Sequence, residues 1–135
     1  MREVFLAEMS ELGDDLIGMG DQVRTAIESA CEALLEADLE LAQKVIAGDA
    51  AIDMAQREVD ERAVTLLARQ APVARDLRTV VSALRMSSTL ERMGDLARHV
   101  AEVARLRYPN RGVPDTTLPV FEKMTKAAIR ASHQV

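Results

Sequence analysis

The chain has 135 residues, enough for one domain with a buried core, and it is 48% hydrophobic but only 2% aromatic, a composition suited to helices packed through Ala, Leu, Val and Met. Lys and Arg number 17 against 22 Asp and Glu, for a net charge of −5, which argues against nucleic acid as a partner, since binding a phosphate backbone needs clustered cations. No apolar run reaches the roughly 18–20 residues that cross a bilayer and no signal-peptide pattern opens the chain, so the expectation is a cytoplasmic all-α protein without a transmembrane segment.

From Phe5 to Leu35 the apolar residues Phe5, Met9, Leu12, Leu16, Met19, Val23 and Ile27 recur at steps of three and four, the stripe of a long first helix. The lone cysteine, Cys31, falls in this pattern and reads as a small buried residue. Gly13, Gly18 and Gly20 each cost about 1 kcal/mol relative to Ala in a helix interior, and they read as points of close helix contact or as a soft spot, the former favoured. Asp38 is suited to cap a second helix carrying Leu39, Ala42, Val45 and Ile46, because its carboxylate can accept from the free N–H groups of the first turn. Gly48 interrupts that pattern. Either Asp49 caps a fresh helix through Ile52, Ala55, Val59, Ala63 and Leu66 to Arg69, or one helix continues with a kink at Gly48.

Pro72 ends the second helix and fits the first turn of a third, predicted from about Val73 to about Arg107, with Asp76 placed against its dipole. In its second half Leu90, Met93, Leu96, Ala97, Val100 and Ala104 share one side, and Glu91, Asp95, Arg98 and Glu102 the other, which predicts the acids at the edge of the bundle. Tyr108 to Pro114 reads as a linker by its Pro, Asn and Gly content. Leu118, Phe121, Met124, Ala128 and Ala131 then begin a fourth helical pattern. It reaches Val135 with no C-terminal helix signal, as an incomplete element or one that packs on another molecule would.

The chemistry concentrates in two Asp/Glu-x-x-x-Asp pairs, Asp49/Asp53 and Glu91/Asp95. Residues four apart on a helix face the same way, so each pair holds two carboxylates close together. If helices two and three fold back about Pro72, facing positions have numbers that sum to about 144, and Asp49 then faces Asp95 while Asp53 faces Glu91. Four converging carboxylates suit hard cations such as Mg and Mn, and bridging carboxylates suit Fe; Zn is a further candidate. His99, four beyond Asp95, extends the ladder, and whether it is a ligand stays open. The competing reading is a solvated charged face, with Arg57, Arg92 and Arg98 neutralising the acids. Catalysis has little support: there is no Gly-x-Ser-x-Gly elbow, no phosphate-binding Gly-rich loop, no His-Glu-x-x-His and no Glu-x-x-His of the ferritin-like di-iron type.

Pro72-Val73-Ala74-Arg75-Asp76-Leu77-Arg78, followed by Leu90-Glu91-Arg92-Met93-Gly94-Asp95 and preceded by Lys44-Val45-Ile46-Ala47-Gly48-Asp49-Ala50-Ala51-Ile52-Asp53, resembles the signature of the PhoU family of phosphate-uptake regulators. The resemblance implies an up-down-up antiparallel three-helix bundle over residues 1–108, a linker over 109–117, and the first helix of an incomplete second repeat over 118–135. It implies a cytoplasmic, non-enzymatic adaptor, with a homodimer expected, that represses the phosphate-starvation response between a phosphate importer ATPase and a sensor histidine kinase. Metal ligands carried over from the family motif fall on Asp49, Asp53, Glu91 and Asp95, and Asp76 and Arg78 match positions read as helix-end pairing. Two other readings are a carboxylate-bridged iron protein with redox chemistry and a metal-free helical interaction module.

Overall fold

A computed structural model describes residues 2–135. Four helices follow one another: α1 (Arg2–Glu36), α2 (Leu39–Gln70), α3 (Ala74–Arg107) and α4 (Leu118–Ser132). Helices α1, α2 and α3 pack mutually as an up-down-up bundle, and α4 lies against α1. Asp38 caps α2 as its position predicts, accepting from the Leu41 backbone N–H at 3.0 Å. At the other end Ala71 adopts a left-handed conformation (φ 42°) whose N–H reaches the Leu67 carbonyl, and Pro72 follows. The two possibilities at Gly48 resolve to one continuous α2, so Asp49 lies inside a helix with its side chain free of capping.

The core is three stacked layers. Phe5, Leu12, Val59, Ala63, Leu66, Val80 and Ala83 fill the end near the α2–α3 turn. Met19, Val23, Ile52 and Leu90 fill the middle. At the far end Ala30, Ala33, Ala42, Ala97, Ala101 and Ala104 let the backbones approach, with Leu34, Val45 and Val113 between them. Polar clamps lie outside this core. Arg62 Nε donates to Asp15 Oδ2 at 2.8 Å and its other arm pairs with Glu11, joining α2 to α1, while Arg2 donates to Asp76 at 2.7 Å. That last bond gives Asp76 the helix-end partner expected of it.

Three sequence-based expectations need correction. A Cβ built at Gly13, Gly18 or Gly20 meets nothing within 4 Å, so these glycines mark open space and not close helix contacts. Leu96 is 56% exposed, because the inward stripe of α3 is centred on Leu90, Gly94, Ala97, Ala101 and Ala104, about 100° away from it. On α4 the side turned inward carries Thr125 and Ser132, with Leu118, Phe121 and Ile129 half-buried, while Met124, Ala128 and Ala131 face out. Cys31 is buried, as its pattern predicts.

Candidate metal centre

Helices α2 and α3 set the site through their register. Asp49 and Asp53 stand one turn apart on α2, and Asp95 comes from the facing stretch of α3; one carboxylate oxygen from each lies within 4.8 Å of the others. Gly94 makes this approach possible. A Cβ there would meet Ile52 Cδ1 and Cγ2 at 3.2 Å and Asp49 Oδ1 at 3.7 Å, so a side chain at 94 would wedge the two helices apart. The sequence pattern alone does not show that Gly94 faces Ile52 and Asp49. The signal available there was a glycine one residue before Asp95, in the register that faces Asp49.

Asp49 is buried, with 5% of its surface exposed, whereas Asp53, Glu91 and Asp95 are half-buried at the bundle edge. One oxygen of Asp49 and one of Asp53, Oδ1 in each, are buried without a hydrogen-bond partner among the described residues. Such an atom has lost its water and gained nothing in return, an unfavourable state unless a cation or donor serves it. Burial raises the Asp49 pKa above the usual carboxylate range, the charges of Asp53 and Asp95 push it further, and Arg98 opposes them.

Of the four predicted ligands, Glu91 is the one outside the converging three. Its carboxyl lies beside Asp95 and Asp53: hydrogen bonding of its protonated form to Asp95, burial, and the neighbouring negative charges push it up to about 7. Near neutral pH its carboxyl is therefore only partly ionised, at the rim of the cluster. His99 is exposed, with Nε2 3.4 Å from a guanidinium nitrogen of Arg98, and it does not join the group. Among the basic residues weighed as neutralising partners, Arg98 takes that place, with Nε 3.5 Å from Asp49 Oδ2 and Nη2 3.8 Å from Asp95 Oδ1. Arg57 and Arg92 are exposed. The donor set is oxygen only and anionic, two of its three carboxylates each carry a buried oxygen without a hydrogen-bond partner among the described residues, and it fits a hard divalent cation.

Comparison with known proteins agrees with the architecture. Residues 16–104 match the PhoU domain model. The chain is 42% identical over 129 residues to phosphate-specific transport system accessory protein PhoU homolog 2 of Mycobacterium tuberculosis, covering 96% of this chain and 61% of that protein. It is 31% identical over 125 residues to the PhoU homolog of Rhizobium meliloti, covering 93% of this chain and 52% of that one. The crystal structure of PhoU from Pseudomonas aeruginosa superposes with a TM-score of 0.86 at 30% identity, over 96% of this chain and 61% of that structure. The chain thus spans about three-fifths of the length of the mycobacterial relative and about half that of the Rhizobium one. On the domain match, the identities and the superposition together, the chain belongs to the PhoU family.

Proposed function

We propose that the chain is a non-enzymatic accessory protein of phosphate transport, an adaptor that represses the phosphate-starvation response by linking a phosphate importer ATPase to a sensor histidine kinase. Support for the phosphate-transport role comes from the relatives, which are named as accessory proteins of the phosphate-specific transport system. The kinase and ATPase as partners, and a homodimeric state, belong to this reading. No described helix is long and apolar enough to cross a membrane, so contact with an importer would be made at its surface.

The reading includes a bound divalent or iron cation held by Asp49, Asp53 and Asp95, with Glu91 at its rim. The observation that carries it is the convergence of the Asp49, Asp53 and Asp95 carboxylates within 4.8 Å, two of which, Asp49 and Asp53, each hold a buried oxygen without a hydrogen-bond partner among the described residues. A bound cation would supply the missing charge between α2 and α3 and tie the helices together. Oxygen-only ligands favour Mg and Mn or bridged Fe over Zn, which takes sulfur and nitrogen more readily. Elemental analysis of the untagged chain after incubation with Mg²⁺, Mn²⁺, Zn²⁺ or iron tests the site. Metal retained by the parent and lost in Asp95→Ala, with helical circular dichroism unchanged, is the expected result; equal metal content in the two refutes it. Binding of the purified chain to an immobilised importer ATPase and to a kinase cytoplasmic region tests the adaptor role, and binding to neither refutes that.

A further inference from the structure

Arg98 differs from the other basic side chains near the carboxylates. It is half-buried, and its Nε is buried without a hydrogen-bond partner among the described residues. That nitrogen lies 3.5 Å from Asp49 Oδ2 and 3.7 Å from Glu102 Oε1, while Nη2 is 3.8 Å from Asp95 Oδ1. These separations satisfy charge but not hydrogen bonding, which draws N and O to about 2.7–3.2 Å. A guanidinium committed to one structural partner forks onto it in two short parallel bonds. Arg98 instead stands between two carboxylates of the candidate site and a third, Glu102, one turn further along α3 and outside that site.

We propose that Arg98 is a built-in counter-cation of the site: it neutralises Asp49 and Asp95 when no divalent ion is bound, and moves onto Glu102 when one binds. This rests on reading Asp49, Asp53 and Asp95 as cation ligands. The geometry of Asp49 sets up the competition, since Oδ2 faces Arg98 while Oδ1 is the orphaned oxygen. Two cations serving one carboxylate repel each other, so occupancy by the ion and residence of Arg98 oppose one another. The arrangement also selects by charge. Replacing the guanidinium by a monovalent ion exchanges one positive charge for one, with no electrostatic gain, whereas a divalent ion brings a second charge to carboxylates that still lack it. Binding is reported at the surface of α3, where Glu102 gains the short hydrogen bonds it lacks at 3.7 Å and the exposed His99 loses its neighbour.

The test is titration calorimetry with MnCl₂ on the full chain, on Arg98→Gln, which keeps much of the aliphatic stem, on Glu102→Gln, on the double variant, and on Arg92→Ala as a control for lost charge on the same helix. If Arg98 leaves about a tenth of the chains competent for the ion, Arg98→Gln binds Mn²⁺ about tenfold more tightly than the parent. Glu102→Gln binds more weakly, because Arg98 loses its alternative partner. In the double variant the effect of Glu102→Gln disappears, the non-additivity expected when one residue acts through the other. Additive effects, or an Arg92→Ala gain equal to that of Arg98→Gln, reduce Arg98 to a contributor to the general field and overturn the proposal. So does Mn²⁺ bound by the parent and bound equally or less tightly by Arg98→Gln, an outcome that leaves the cation site standing. Binding by neither, with both folded, overturns the site and the proposal together; binding by Arg98→Gln alone supports both.

Discussion

A buried aspartate with an unserved oxygen is unfavourable for folding in the absence of a cation, and Asp49 has two further carboxylates pressed against it. Asp49→Asn removes one of those like charges while keeping the volume. The expected outcome is a metal-free chain about 1 kcal/mol more stable than the parent in urea denaturation, together with loss of any rise in Tm on adding Mn²⁺. Glu91 gives the pH dependence its sign. Its carboxyl titrates at about 7 in the folded chain against an ordinary 4.5, so the folded state holds an extra proton between those values. The stability from that proton is fully present below about 4.5 and is lost as pH rises through 7. In EDTA, parent stability should therefore fall from pH 5 to pH 8 relative to Glu91→Gln, and parallel curves for the two would count against the assignment.

At the scale of elements, helix boundaries were legible because their signals are local. Asp38 followed by an apolar-periodic run, and Pro72 after Ala71, each act within one turn, and α2 starts and stops where those residues put it; Pro72 itself, expected in the first turn of α3, instead precedes the Val73 N-cap and lies outside the helix. The pairing of α2 with α3 was legible for a related reason: a tight turn fixes the register, and the register alone brings Asp49 opposite Asp95. The direction in which a glycine faces is not local, since it depends on the rotation of the whole helix against its neighbours. Gly18 and Gly94 look alike in the sequence, yet one faces open space and the other faces Ile52 and Asp49. Gly18→Ala should stabilise the chain by about 1 kcal/mol through helix propensity alone, raising Tm by roughly 3–5 °C. Gly94→Val should do the reverse, costing roughly 2–3 kcal/mol by overpacking against Ile52 and weakening Mn²⁺ binding as α2 and α3 separate. Denaturation curves for the two variants, with calorimetric titration of the second, decide between these signs.

At the scale of the whole molecule, the α3–α4 junction is fixed by a segment that composition marks only as a linker. Gly112 donates its N–H to the Leu34 carbonyl at 3.3 Å, and Val113, 5% exposed, enters the alanine-rich layer beside Ala30 and Ala104. Residues 109–117 contain no helix, and Gly112 and Val113 pin them to the end of α1. A Cβ at Gly112 would collide with Leu34 Cδ1 and come within 3.2 Å of Leu34 Cγ, inside a packed layer where Leu34 has little room to yield. α4 beyond this anchor contacts α1 alone among the helices and leaves Val120 and Met124 more than half exposed, so its position depends on the anchor more than on its own packing. Gly112→Ala should therefore destabilise the chain by about 2 kcal/mol and loosen α4 selectively. In hydrogen exchange the amides of Leu118–Ser132 should lose protection while those around Asp49 and Asp95 keep theirs, and Mn²⁺ binding should be unchanged. Equal loss of protection throughout the chain would instead make the junction part of one cooperative unit with the Asp49–Asp95 cluster.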